Sequence, residues 1–360
     1  MIVWIVMLAA AVWIAQRYSL EHGLDGLEYD MELEKRLTEP DEPVEVHMTI
    51  RNKKWLLVPF LQIREELPEG ITVYEMDKGK LRKTEGVYQR YWLETELYLA
   101  GWQKAEITRK ISGAKRGCYG FKGATLNVGD FLGISGRSHE VAQYREIVIK
   151  PRSAASSDLN RILGGFLGDI SVRRFWMEDP MFLAGFREYT GREPFRAISW
   201  TQSAKSGKMM VKEYDHTAEL SCLVLLDISC RRSWEKNLDS EMEECFSIAR
   251  TVCETLEKQG FAYEFFTNAI ITGPVGNISR VLEGRGTLHL QEILEVLGRS
   301  TYHFGKHLDE LLQQIEMHRN VGKACILISL EESGECFTQI QHLRDMTGHE
   351  ILVLTPHGEE

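Results

Sequence analysis

No two cysteines of this 360-residue chain are spaced C-x-x-C, and their number, seven, is odd. That pattern argues against a zinc knuckle, a thioredoxin-type pair or a disulfide framework. Cys222 in SCLVLLD and Cys325 in ACILIS sit inside apolar runs, so the thiols read as small reduced core residues of a cytosolic compartment. An excess of basic charge is also missing. The formal net charge is −10, whereas a general nucleic-acid binder needs cations to neutralise phosphates. The chain has no P-loop and no G-x-S-x-G elbow, and the glycines Gly164, Gly165 and Gly168 do not fit a G-x-G-x-x-G fingerprint. His289, His303 and His307 lack metal-ligand spacing. Nothing in these patterns selects a reaction, so the sequence points away from an enzyme, a hydrolase at a strand-end cleft being the remaining enzymatic alternative.

Charge is absent from Met1–Ala15, MIVWIVMLAAAVWIA. As a helix this stretch covers about 22 Å, and extension to Leu20 brings it near the ~30 Å hydrocarbon core of a bilayer. Trp4, Trp13 and Tyr18 suit membrane interfaces, and Arg17 can snorkel. Residues 1–20 therefore read as a single-pass transmembrane anchor. No basic residue precedes the apolar run, as a secretory signal would require. Arg17, Lys35 and Arg36 follow it, which favours a cytoplasmic body.

Residues 27–150 alternate like half-buried strands: Val44, Val46, Met48 and Ile50 are interleaved with Glu45, His47 and Thr49. Turn signals such as LPEG, AKRG and NVGD separate short strands without helices, which predicts an antiparallel β-sandwich. Residues 151–217 read as an irregular linker leading into a distinctive segment. From 218 to 360, continuous apolar strands alternate with amphipathic helices, which predicts a doubly wound α/β domain with a parallel sheet.

Ligand sites in such domains lie beyond the carboxyl ends of the strands. Asp227 ends the first apolar strand, and Ser229 follows it in D-I-S-C-R. The run resembles the D-x-S-x-S metal-ion-dependent adhesion site of von Willebrand factor A domains. The resemblance implies a Mg²⁺ held by Asp227 and Ser229, with Thr287 as a later threonine and Glu331 as a later acid. Arg231 stands where the second serine belongs, and a guanidinium only donates hydrogen bonds. The site is therefore degenerate. A Mg²⁺-dependent ligand receptor is the alternative function it supports, and no cofactor is otherwise implied.

Upstream lies FREYTGREPFRAISWTQSAKSGKMMVKEYD. Arg187, Glu188, Tyr189, Gly191, Arg196, Ile198, Trp200, Ser203, Ala204, Val211, Lys212 and Tyr214 match a signature that runs R-E-Y-x-x-G-D-D-x-R-x-I-D-W-x-x-S-A-R-x-x-x-L-x-V-K-x-Y-E. On these residues the chain resembles domain-of-unknown-function family 58 (DUF58). Arg116-Gly117-Cys118-Tyr119 and Asp130–Ile134 look like further family segments. The chain departs from the signature at Arg192, Glu193, Ser199 and Lys205, which makes this copy more basic. The resemblance implies a bacterial or archaeal membrane-associated protein that works beside a MoxR-type AAA+ ATPase and a transglutaminase-like membrane protein. The segment admits two readings: a docking surface for an acidic partner, or a structural strap in which Tyr189, Trp200 and Tyr214 pack onto the sheet. The expectation is a membrane-anchored, non-enzymatic protein-binding adaptor, with lipid met by the N-terminal helix and no nucleic acid.

Overall fold

A computed structural model describes residues 2–76, 80–83, 91–129, 136–154, 156–176, 183–191, 193–214, 221–229, 238–273, 279–316, 323–330, 337–347, 351–356 and 358–359. Arg192, Arg231, Glu331 and the segment Asp130–Ile134 lie outside the described residues. The chain divides into two compact units. The first is Met1–Arg152 with Ile271–Gly276 and Leu294–Thr301, and the second is Ser153–Ile270, Asn277–Ile293 and Tyr302–Glu360.

The first unit begins with helix α1 (Ile2–Glu21). Its strands are β1 (Leu27–Leu33), β2 (Leu37–Thr38), β3 (Val44–Asn52), β4 (Val58–Leu67), β5 (Ile71–Met76), β6 (Lys80–Lys83), β7 (Tyr91–Leu99), β8 (Lys104–Gly113), β9 (Gly117–Gly129) and β10 (Gly136–Ile149). They form a four-stranded sheet, β1-β3-β8-β5, and a six-stranded sheet, β2-β10-β9-β4-β7-β6. Pairing is antiparallel throughout except between β2 and β10. The alternation read in Val44–Ile50 is the burial pattern of β3, whose valines, Met48 and Ile50 enter a core shared with Leu61 and Ile63 of β4 and Leu126 of β9. One face of each sheet is thus spent on a common core, which is the arrangement of a β-sandwich.

Helix α1 differs from the core elements. Val3, Trp4, Met7, Val12, Trp13 and Ile14 are exposed, and at 3.6 residues per turn they point in many directions around the axis. Among its described side chains the covered ones lie in the last turns, with Ser19 buried. Among the described residues no helix is long and apolar enough to cross a membrane. This corrects the expected transmembrane span. The charge-free stretch stops at Ala15, and Gln16, Arg17 and Glu21 occupy the rest of the helix.

The second unit opens with α2 (Ser157–Trp176), where an irregular linker was expected. Leu159, Leu163 and Leu167, spaced four apart, are buried along one stripe. Ser156 Oγ accepts from the Leu159 amide at 3.3 Å at the helix start. A Cβ on Gly164, Gly165 or Gly168 would meet nothing within 4 Å, so these glycines lie on the open side of α2 and do not break it. The chain continues through β11 (Leu183–Glu188), a 3₁₀ turn at Phe195–Ala197, α3 (Trp200–Ser206) and β12 (Met210–Tyr214).

The remaining elements are β13 (Ser221–Asp227), α4 (Leu238–Gln259), β14 (Ala262–Thr267), β15 (Ala269–Ile271), β16 (Arg280–Gly284), α5 (Thr287–Arg299), β17 (Ser300–Phe304), α6 (Leu308–Glu316), β18 (Ala324–Ser329), α7 (Phe337–Thr347), β19 (Ile351–Thr355) and β20 (Gly358–Glu359). One sheet runs β16-β14-β13-β18-β19-β20. Its four central strands are parallel and nearly fully buried, as the apolar runs of β13 and β18 predict, whereas the edge strands β16 and β20 are antiparallel. The cysteines Cys222, Cys245, Cys253 and Cys325 are free and buried. Burial pushes the Cys222 thiol up to about 12.

Candidate functional site

Two places in the second unit hold the residues singled out from the sequence. The first is the carboxyl end of β13. Asp227 is buried, and its Oδ1 accepts three hydrogen bonds: from the Ser229 amide at 2.9 Å, from Ser229 Oγ at 2.6 Å and from Asn268 Nδ2 at 2.5 Å. Asn268 follows β14, the parallel neighbour of β13, so the topology carries it to the same end of the sheet. Its Oδ1 accepts from the Ile228 amide at 2.9 Å, and its Nδ2 also donates to the Lys306 carbonyl at 3.0 Å. One side chain thus joins β13, β14 and the approach to α6. The sequence reading missed Asn268, although an amide directly after an apolar strand is a signal of this kind.

The structure brings Asp227 and Ser229 together but separates Thr287 from them. β16 is antiparallel to β14 and ends at Gly284, which pairs with Tyr263 near the start of β14. Thr287, three residues later, therefore opens α5 at the amino ends of the parallel strands. There His289 Nε2 lies 2.9 Å from the Tyr263 carbonyl, and Gly286 donates to Glu257. Of the expected metal set, Asp227 and Ser229 meet, Thr287 does not join them, and Glu331 lies outside the described residues. Thr287 is at the opposite end of the sheet, because an antiparallel edge strand reversed the chain direction.

The second place is the signature segment. β11 and β12 form a two-stranded antiparallel ribbon in which Arg187 faces Val211, Phe186 faces Lys212 and Leu183 faces Tyr214. Ile198 bridges to Val211, and both are buried. α3 is short, and it is held at both ends. Its Gly207 C-cap adopts a left-handed conformation at φ 71° and donates to the Ser203 carbonyl. Ser203 Oγ accepts from the Met210 amide at 2.8 Å and donates to the Ser199 carbonyl at 2.8 Å. The Ser199 amide in turn donates to the Met210 carbonyl at 2.9 Å. Ser203 is therefore the clasp between α3 and β12.

Charged residues of the segment divide into paired and open groups. Arg187 and Glu193 form an ion pair, and Thr190 donates to the same carboxylate through Oγ1 at 2.8 Å and its amide at 3.1 Å. Lys208 pairs with Glu188. Arg196, Lys205 and Lys212 are exposed and have no ion-pair partner among the described residues. Phe195 and Trp200 are 71% and 65% exposed, and Tyr189 lies half-buried with its ring 6.3 Å from that of Phe195. Trp200 thus does not pack the segment onto a sheet, as one reading expected. Ile198 and Val211 do the local packing, and the indole faces outward.

The Arg187 guanidinium and then the Thr190 hydroxyl hold the Glu193 carboxyl down at about 2. A depressed carboxylate keeps its stabilising contribution above the unfolded value of about 4.3 and loses it as pH falls through the folded value. The Glu193 side chain should accordingly titrate near pH 2 by NMR. Arg187→Ala should raise that midpoint toward the ordinary range and loosen the Thr190–Glu193 contact at mildly acidic pH. An unchanged midpoint in Arg187→Ala would remove the assigned cause.

No curated protein matches the sequence. Among solved structures, part of the chain is similar to the full-length major pilin SpaD from Corynebacterium diphtheriae, at 5% identity and TM-score 0.26, covering 36% of this chain and 38% of that one. A cohesin module from the Clostridium perfringens family 33 glycoside hydrolase aligns at 13% identity and TM-score 0.23, covering 34% of this chain and 96% of the module. A non-cellulosomal cohesin from Archaeoglobus fulgidus aligns at 14% identity and TM-score 0.23, covering 34% and 91%. At these scores the likenesses support no functional argument. The signature segment is more specific: the model of the family described as protein of unknown function DUF58 matches residues 185–270, from the ribbon through Asp227 to β15, so this part of the chain is similar to DUF58.

Proposed function

We propose that this chain is a membrane-tethered, non-enzymatic adaptor that captures an acidic segment of a protein partner on the surface between Phe195 and Lys212. The observation that carries the reading is the outward-facing pair Phe195 and Trp200, held on a braced turn and short helix and flanked by exposed Arg196, Lys205 and Lys212. Large aromatics and arginine supply most of the energy at protein interfaces, and they do so best where the backbone is already ordered. Cations without an ion-pair partner among the described residues suit carboxylates. The DUF58 resemblance suggests a MoxR-type AAA+ ATPase as the partner and a transglutaminase-like membrane protein as a neighbour. The second unit is von Willebrand factor A-like in this proposal, supported by the strand order β16-β14-β13-β18-β19-β20 with its antiparallel edge strand β16. The tether is α1, whose described apolar side chains, Val3, Trp4, Met7, Val12, Trp13 and Ile14, are exposed on more than one side and so suit lipid better than a one-sided groove.

Binding of the purified full chain to a MoxR-type ATPase from the same cell tests this reading. Phe195→Ala and Trp200→Ala should each weaken the complex by about 2 kcal/mol, roughly thirtyfold in Kd. As exposed positions they should leave folding stability within ~0.5 kcal/mol. Arg196→Glu should weaken it further and reduce its salt sensitivity. Binding that both aromatic variants leave intact would move the docking surface elsewhere. A parent chain that does not bind would dismiss this partner.

A further inference from the structure

We infer that the end of the β-sandwich bearing Trp55 and Trp102 is an aromatic platform that rests in the headgroup layer of the membrane holding α1. The inference rests on the tether reading above. Trp55 stands on the loop that meets the carboxyl end of α1, and Trp102 on the turn beside that loop, all within the first unit. Lys54, beside Trp55, donates to the carbonyls of His22 at 2.7 Å and Asp25 at 2.7 Å, and also to that of Gly23. Arg137 donates to the Glu21 carbonyl at 3.2 Å. Two cations thus cap the helix end, where unsatisfied carbonyls and the helix dipole favour them. They bind the helix end to the sandwich directly.

The platform itself is rigid. The Trp102 amide donates to the Lys54 carbonyl at 3.0 Å, and Asn52 Nδ2 donates to the Leu56 and Ala100 carbonyls at 2.9 Å each. A Cβ on Gly101 would lie 2.3 Å from the Trp55 carbonyl oxygen, so only glycine allows the two loops to approach this closely. Trp102 adopts φ 62°, a left-handed conformation that a bulky residue takes only under strain. Yet its side chain is 71% exposed and that of Trp55 69% exposed, so the strain yields no internal packing. Backbone strain that presents an indole to the outside points to an external ligand.

Lipid fits that ligand for a geometric reason. The charge-free part of α1 spans about 20 Å, short of the ~30 Å hydrocarbon core, so insertion draws the adjoining end of the sandwich toward the surface. From Ala15 to Glu21 the helix rises only about 9 Å. Indoles at that level meet the interfacial zone that tryptophan favours.

The test uses the full chain labelled with 5-fluorotryptophan in phosphatidylcholine nanodiscs carrying a headgroup nitroxide, with ¹⁹F resonances assigned by single Trp→Phe variants. Trp13, Trp55 and Trp102 should broaden severalfold, while Trp92 should not. Trp92 lies at the far end of β7, since Tyr91 pairs with Leu67 and Leu99 with Val58. Broadening of Trp13 alone would overturn the platform and leave the tether standing. Broadening of none of the three would overturn both. Trp102→Gly relieves the left-handed residue, so its melting temperature should hold or rise while the broadening at Trp55 falls. A Trp55 signal that does not respond would also overturn the platform.

Discussion

Replacing Arg109 with methionine should lower the stability of the β-sandwich by about 3–5 kcal/mol, among the largest single-residue losses in the chain. Arg109 is 2% exposed and Glu65 3% exposed, and the guanidinium binds both the Glu65 carboxylate and Thr95 Oγ1. The Tyr29 hydroxyl donates to the other Glu65 oxygen. Burial first, then the adjoining carboxylate, pushes the Tyr29 phenol far above its ordinary range. Met48, Leu93, Ile111 and Phe121 line a cavity of 20 Å³ beside the pair, so the surroundings are apolar. Arg109→Met removes the cation and leaves Glu65 desolvated and unpaired, and that stranded charge accounts for most of the cost. The control is a triple variant, Tyr29→Phe with Glu65→Leu and Arg109→Met. It removes every charged or phenolic member of the network, leaves only the Thr95 hydroxyl, and should recover most of the loss, since buried ion pairs replaced by packed apolar groups are often neutral or better. Hydrogen exchange of the β8 amides Ile107 and Ile111 reports the sandwich without interference from the second unit. If Arg109→Met and the triple variant lose the same amount, the cost is packing rather than charge.

This network was not legible in the sequence, for a physical reason. Glu65 and Arg109 sit at positions of β4 and β8 that continue an inward alternation, and nothing local separates an inward charge from an outward one. Alternation did locate the strands themselves: Val44 to Ile50 read as half-buried and are so in β3. The unbroken apolar runs of β13 and β18 likewise announced a covered parallel sheet. Over α2 the glycines Gly164, Gly165 and Gly168 suggest a linker, whereas the helical signal is the buried stripe of Leu159, Leu163 and Leu167. Thr287 was placed by its order along the chain, which does not reveal that β16 runs backwards. The signature segment was found from its residues, but which of its aromatics face outward follows from the ribbon and the Ser203 clasp. Pairing of that sort is set by tertiary structure and leaves no periodic trace.

Asp227→Ala should destabilise the second unit by about 2–4 kcal/mol with no metal present, because the carboxylate is itself the strand-end lock. Three donors converge on one oxygen of a residue that is 1% exposed. Hydrogen bonds to a charged group contribute about 1.5–3 kcal/mol each, although the losses here do not add: Ser229 supplies two of the donors and Asn268 keeps the Lys306 carbonyl. Asp227→Asn preserves the shape and loses the charge, so it should cost less than the alanine variant. Asn268→Ala should cost a similar amount to Asp227→Ala, because it frees the Ile228 amide and one Asp227 donor together. In a double-mutant cycle the pair should then lose less than the sum of the singles. Millimolar Mg²⁺ separates this account from the metal-dependent alternative. With Thr287 at the far end of the sheet, and Asp227 Oδ1 already accepting three donors, the melting temperature of the parent should not move. A ligand that binds only the folded state must raise it. A Mg²⁺-induced rise that Asp227→Ala abolishes, together with an alanine variant of parental stability without metal, would reverse the assignment and make Asp227 a ligand rather than a lock.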